Sequence, residues 1–298
     1  MVLEHKIVSK LQFPVGARNG ISDKNLLRQT IKHGIEALLE QHALTQKDIT
    51  RILASGMITS EFGLVNLPHI TAPAGLAQLH ETMYETYLPD IADIPFVFVR
   101  GVKTDCSSLE TADMMRGEET EIMGISREGA GIYVLPGSHS KIIQTDKNGA
   151  ITEFKTMLTG EMIAAISENT ILKDAFQIGK ESLREAYLHQ GFAYAAERGI
   201  NDALFKVRIL KNLFGKSASE TYSFFMGIIL CDEIRCILAA NPARITIGGK
   251  KAIKDAMALL LRAHTSAPVV AIPEKEADVA SVVGAIRIFE YPDIMPVT

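Results

Sequence analysis

Apolar positions along the chain recur at two periods, and their order predicts strands alternating with helices. Residues 5–9 are β-like, with no partner strand before them. Leu27, Ile31, Ile35, Leu38 and Leu39 then fall on one face at close to 3.6-residue spacing, predicting a helix over 23–42 with Ser22 as its N-cap. Short apolar runs predict buried strands over 49–54 and 95–99, and longer amphipathic stretches predict helices over 75–87 and 112–125. After Gly129-Ala-Gly131 the pattern restarts as a meander. Its strands, over 132–135, 141–145 and 150–155, are separated by Pro136–Ser140 and by the hairpin signal Asp146-Lys-Asn-Gly149. Helices near 159–172, 180–198, 202–213 and 218–240 follow. A strand over 244–247, a helix to about His264, a strand over 267–272 and a helix from Glu274 complete the order. Such alternation is the mark of an α/β protein with much of its sheet parallel.

A chain of 298 residues is long for one hydrophobic core. With the restart at 129–131, this divides it into an N-terminal lobe, 1–128, and a C-terminal lobe, 129–298. The formal net charge is −4 with both signs mixed, so no basic face advertises nucleic acid. Anionic ligands would have to be held by local cations and helix N-termini. The longest apolar run, Phe224–Cys231, ends at Asp232-Glu233, against the roughly 20 residues a membrane span requires. The first residues are charged (Glu4, His5, Lys6) and carry no apolar signal core. Cys106, Cys231 and Cys236 form no CxxC pair and no disulfide framework. These features predict a cytoplasmic protein with reduced thiols, no membrane partner and small-molecule ligands; a homo-oligomer stays open.

Several common signatures are missing. Gly248-Gly-Lys-Lys251 lacks the spacing and the Ser/Thr of a P-loop, and there is no GxGxxG after a strand, no HExxH and no GxSxG. The scattered histidines show no metal-ligand spacing.

Five segments could carry chemistry, and each also has a plain structural reading. Leu135-Pro-Gly-Ser-His-Ser-Lys141 joins two strands of the meander. Gly137 permits a tight loop whose successive N–H groups could hold phosphate, with Ser138, His139, Ser140 and Lys141 beside them, or the segment is an ordinary turn. Met114-Met-Arg-Gly-Glu-Glu-Thr120 lies early in the predicted 112–125 helix. Glu118 and Glu119 diverge by about 100° there, so one carboxylate beside Arg116 could act as general base; equally, both could serve the helix dipole. Ser55-Gly-Met-Ile-Thr-Ser60 leaves the end of a buried strand, where α/β sheets place ligand contacts, which makes Met57 and Ser60 candidates; a connecting loop is the alternative. Arg18, in Pro14-Val-Gly-Ala-Arg18, could clamp a carboxylate or lie solvated. Gly248 and Gly249 offer bare backbone against which a flat base could lie, or a generic strand-to-helix turn.

In their order along the chain these segments resemble the 2-dehydro-3-deoxygalactonokinase family of the actin/hexokinase-like superfamily. The resemblance rests on Pro14–Arg18, Ala54–Ser60, Pro68–Gly75, Met114–Gly124, Leu135–Lys141 and Leu158-Thr-Gly-Glu161. The Met-Arg-Gly-Glu-Glu-Thr and Leu-Pro-Gly-Ser-His-Ser-Lys pair is its specific part. It implies two ribonuclease-H-like α/β lobes around a cleft, the first binding sugar and the second nucleotide. It also implies ATP- and Mg²⁺-dependent phosphorylation of the C6 hydroxyl of 2-dehydro-3-deoxy-D-galactonate. Under it Glu118 is the base with Glu119 second, the Gly137 loop holds phosphates, and Gly248-Gly249 lies near adenosine. The family's opening strand and Asp-Ser-Gly-Thr-Thr-Asn-like turn, which form a first phosphate loop, have no counterpart in these residues. The first lobe is therefore expected without its first strand. Two other readings stay open: a non-catalytic sugar-acid-binding relic of such a kinase, or a kinase for an epimeric sugar acid.

Overall fold

The computed structural model describes residues 1–17, 23–125, 129–249 and 251–292. Contacts divide the chain into two compact units: Met1–Arg127 with Gly149–Thr152 and Asp278–Thr298, and Glu128–Asn148 with Glu153–Ala277. The chain thus returns twice to the first unit, which a single boundary at 128/129 does not capture.

In the first unit, β1 (Val2–Leu3) and β2 (Lys6–Ile7) form an antiparallel hairpin that turns at Glu4 and His5, both at positive φ. The β-like start therefore has a partner, contrary to the reading of 5–9 as a strand without one. Helix α1 (Lys24–Gln41) is capped by Asp23, whose carboxylate accepts from Leu26 N at 3.0 Å; the expected cap, Ser22, lies outside the described residues. Strand β3 (Ile52–Ala54) leads into a 3₁₀ turn over Gly56–Thr59, and β4 (Ile70–Thr71) follows.

Two expected helices are shorter than their periodicity suggests. Residues 75–87 split into α2 (Leu76–Glu81) and β5 (Tyr84–Leu88), because Tyr84-Glu-Thr-Tyr-Leu pairs antiparallel with β6 (Ala92–Phe98). Aromatic and β-branched side chains suit that pleated surface better than a continued helix. Residues 112–125 split into β8 (Met114–Met115), which pairs antiparallel with β7 (Val102–Lys103), and α3 (Glu118–Ile125). Gly117, at φ +117°, breaks the segment, so Arg116 precedes the helix instead of lying in it. The strands form two sheets ordered β3-β6-β5 and β4-β7-β8. Leu67, Ile91, Ile94, Phe96 and Phe98 make a core against which Ile31 and Ile35 of α1 pack.

The second unit follows its predicted order closely. Its sheet runs β11 (Ile151–Met157), β10 (Ser140–Thr145), β9 (Gly131–Leu135), β12 (Ile245–Ile247), β13 (Val269–Ala271). Strand β9 is antiparallel to β10 and parallel to β12, and β12 is parallel to β13. Helices α4 (Thr159–Asn169), α5 (Glu185–Arg198), α6 (Ile200–Asn212), α7 (Ala218–Ala239) and α8 (Lys251–His264) accompany it. Helix α7 starts at a Ser217/Glu220 capping box and is buried on nearly all sides from Thr221 to Ile237. The segment from Glu274 resolves into α9 (Glu274–Ala277) and α10 (Ala280–Phe289). Helix α10 belongs to the first unit, where Arg287 donates to Met123 O at 2.6 Å. No helix among the described residues is long and apolar enough to cross a membrane.

Candidate functional site

In the second unit, the C-terminal ends of the parallel neighbours β9 and β12 run into Pro136-Gly137 and Gly248-Gly249. Ligand crevices in α/β sheets lie outside such strand ends. Gly248 N donates to Val134 O at 2.8 Å. Gly249 has φ +73°, and a Cβ on it would stand 2.5 Å from Pro136 O, so two bare stretches of backbone abut here.

Helix α4 fixes the loop from one side. Gly160 N donates to Gly137 O at 3.1 Å, and Glu161 N donates to Ser138 O at 3.2 Å. These bonds satisfy two of the amides that every helix leaves unpaired at its N-terminus. They also orient the loop. Both peptide bonds that follow are trans, so the N–H groups of Ser138 and His139 point opposite to the carbonyls that α4 holds. Ser138 and His139 are exposed, and His139 Nε2 lies 2.9 Å from Glu161 Oε1. The result is a pair of successive amides facing away from α4, an arrangement suited to an anion.

Two residues predicted for this loop face elsewhere. Ser140 is fully buried, and its hydroxyl donates to Glu233 Oε1. Lys141 is 4% exposed, with its ammonium on Thr156 Oγ1 at 2.7 Å. As neighbours on β10 these two side chains leave opposite faces of the strand, and both are covered, so Gly137, Ser138 and His139 carry the outward surface.

In the first unit, Gly117 packs on Gly56, with a Cβ on Gly117 reaching 3.1 Å from Gly56 Cα. Arg116 spans the same neighbourhood. Its guanidinium donates to Thr59 O and Thr59 Oγ1, both at 2.6 Å, and to Leu67 O at 3.1 Å. It also lies 3.3 Å from His69 Nδ1, which must accept, so the ring is neutral with its proton on Nε2. Burial, with the charges of Arg116 and Lys103, holds His69 down at about 4. Arg116 is thus a clamp on the 56–69 loop, with its donors committed to protein. Ser60 is similarly committed, its hydroxyl donating to Met57 O at 2.7 Å. Met57 is 48% exposed. Arg18 lies outside the described residues.

The two adjacent carboxylates differ sharply. Glu118 opens α3, half-buried, with Oε2 accepting from Arg116 N at 3.0 Å. Glu119 is fully buried; both its oxygens lie 2.8 Å from Gly117 N, and Thr120 Oγ1 donates to Oε1 at 3.2 Å. Burial pushes Glu119 up to about 8 against these hydrogen bonds, and pushes Glu121 up to about 7 with help from the Glu118 charge. The raised values favour the neutral acids in the folded state. Their contribution to stability is complete below the unfolded value of 4.5 and is lost as pH rises through about 7 to 8. Glu119→Gln keeps an acceptor for Gly117 N–H and should flatten this loss. Urea midpoints compared at about pH 5 and about pH 9 should fall less in the variant than in the parent. An unchanged fall would mean Glu119 does not titrate in this range.

Sequence reasoning missed four contributors. Thr159 and Gly160 were visible within Leu158-Thr-Gly-Glu161, but nothing local shows that they sit under the Gly137 loop. Glu233 was visible as a charge ending the apolar run of α7. His69 was visible only as part of the Pro68–Gly75 stretch of the resemblance.

The fold is that of an α/β protein. It matches the crystal structure of a protein assigned as a 2-dehydro-3-deoxygalactonokinase from Sinorhizobium meliloti, with TM-score 0.73 at 23% identity, over 87% of this chain and 85% of that one. Residues 16–286 match the family model for 2-keto-3-deoxy-galactonokinase, and the chain belongs to that family of kinases. Among curated relatives, the 2-dehydro-3-deoxygalactonokinase of Escherichia coli (strain K12) is 26% identical over 220 residues, covering 72% of this chain and 70% of the relative. A protein named as a probable 2-dehydro-3-deoxygalactonokinase of Rhizobium meliloti (strain 1021) is 28% identical over 221 residues, covering 70% and 69%.

Proposed function

We propose that the chain uses ATP to phosphorylate the C6 hydroxyl of 2-dehydro-3-deoxy-D-galactonate, giving the 6-phosphate and ADP. Family membership supports the kinase class. The observation that carries the nucleotide role is the pair of outward amides, Ser138 N–H and His139 N–H, set by α4. Phosphoryl transfer asks for positioning and charge stabilisation above all, which fixed backbone donors can supply. Gly248-Gly249 abuts the same loop and offers flat backbone for adenosine. On this reading Glu118 is the base that takes the proton of the attacking hydroxyl, Glu119 and Arg116 shape its turn, and Met57 contacts the sugar acid, with Arg18 its carboxylate partner.

Among the described residues no group of three or more His, Cys, Asp or Glu is placed to hold a metal. This fits Mg²⁺ carried largely by the triphosphate and water, the usual arrangement for that ion at kinase sites. When bound, it would neutralise charge on the transferring phosphoryl group.

The test is phosphorus NMR of a reaction containing the chain, 2-dehydro-3-deoxygalactonate, ATP and Mg²⁺. Formation of a C6 phosphate ester is expected. An ester at another hydroxyl, or faster reaction of an epimer, would overturn the substrate assignment; ligand binding without transfer would favour the binding relic.

A further inference from the structure

The most apolar helix of the second unit carries a buried acid that the family reading does not use. Glu233 is 2% exposed on α7, with Phe225, Ile228, Ile229, Ile234 and Ile237 buried on the same helix. Its two oxygens take one hydroxyl each: Ser140 Oγ donates to Oε1, and Thr159 Oγ1 donates to Oε2 at 2.6 Å. Burial pushes its carboxyl up, and the two hydroxyls oppose that shift. An apolar side chain of similar volume is often neutral or better for stability than a buried ion, so its stability contribution alone does not account for the acid.

Its position does. Ser140 begins β10, directly after His139, and Thr159 begins α4, directly before Gly160. The acid therefore ties together the exit of the Gly137 loop and the start of the helix whose amides orient that loop. We infer that Glu233 is a positioning residue for phosphate binding, holding the Ser138 and His139 amides in register through Ser140 and Thr159 without touching the nucleotide. This rests on the reading of the Gly137 loop as the phosphate site.

The test compares steady-state kinetics of the parent with Glu233→Ala, Glu233→Gln and Thr159→Val, using ATP and 2-dehydro-3-deoxygalactonate. Glu233→Ala should raise the KM for ATP by about ten- to a hundred-fold, the scale of lost hydrogen bonds to a charged group, with the sugar-acid KM within about two-fold. Thr159→Val removes one tie at constant shape and should give part of that rise; Glu233→Gln, which can still accept one hydroxyl, should recover part of it. Ile237→Ala, also buried on α7, controls for destabilisation and should lower Tm without moving the KM for ATP. Should Glu233→Ala not fold, Thr159→Val and Glu233→Gln carry the same comparison. Lower Tm with an unchanged KM for ATP in the Glu233 and Thr159 variants would overturn the positioning role. If Gly160→Ala also leaves the KM for ATP unchanged, the phosphate-loop reading itself has failed.

Discussion

Gly160→Ala is expected to lower kcat/KM for ATP by about 10²-fold, while Gly137→Ala leaves stability close to the parent's. The contrast comes from what each new methyl would meet. A Cβ on Gly160 would stand 2.3 Å from Gly137 O and 2.8 Å from Ser138 Cα, backbone atoms that cannot swing aside. Ordinary contact begins near 3.4 Å, so loop and helix must part by roughly 1 Å, enough at a reacting site to cost about a hundred-fold. Helix propensity works the other way, because alanine in place of glycine favours a helix by about 1 kcal/mol. The overpacking cost of about 1–3 kcal/mol should outweigh it, and Tm should fall by a few degrees. At Gly137, by contrast, the nearest atom is His139 O at 4.0 Å, which any small side chain tolerates. The requirement for glycine thus sits beneath the loop, and the loop's own glycine is sterically the freer of the two. Initial rates at varied ATP and thermal melts of both variants check this. A raised Tm with the parent's kcat/KM in Gly160→Ala would show that this contact does not hold the loop.

The sequence made the second unit legible because its elements are set by local rules. The Asp146–Gly149 turn and the capping box of α7 each agree with the tertiary result. The first unit resisted at two places, each for a nameable reason. At 82–88 a helix-like spacing lost to a hairpin with the next strand, β6, in which Leu88 faces Ala92 and Tyr84 faces Phe98. At 112–117 a glycine that looked like a tolerated helix interruption is a break at positive φ, packed on Gly56. That break sets Arg116 ahead of the helix, with its guanidinium on Thr59 and Leu67. For the candidate site, the sequence located the loop but not its support. Outward residues could be guessed from composition, whereas Ser140, Lys141, Thr159 and Glu233 take their roles from contacts between segments far apart in the chain.

Glu118→Gln is expected to reduce kcat by about 10²–10⁴-fold, the range associated with loss of a general base, with the KM for sugar acid little changed. The amide keeps the shape of the side chain and an oxygen for Arg116 N–H, but cannot take a proton from a hydroxyl. The choice between the adjacent acids follows from their surroundings. Glu119 faces inward, both oxygens are turned to Gly117 N–H, and its raised pKa leaves it largely neutral near pH 7, a poor acceptor with no exposed surface. Glu118 opens the helix, half-buried, with Oε2 accepting from Arg116 N. Glu119→Gln should therefore retain most turnover near neutral pH, with its effect appearing in stability at higher pH. Arg116→Lys serves as the structural comparison, because one ammonium cannot reproduce a fork that reaches Thr59 and Leu67 together. It should lower Tm and disturb both substrates' KM values, in contrast to the pure kcat effect at Glu118. Single-turnover measurements with saturating ATP separate the two patterns. A parent-like rate in Glu118→Gln together with a collapsed rate in Glu119→Gln would exchange the roles of the two acids. Parent-like rates in both would remove carboxylate base catalysis from this turn and leave its acids as the N-terminal charges of a helix.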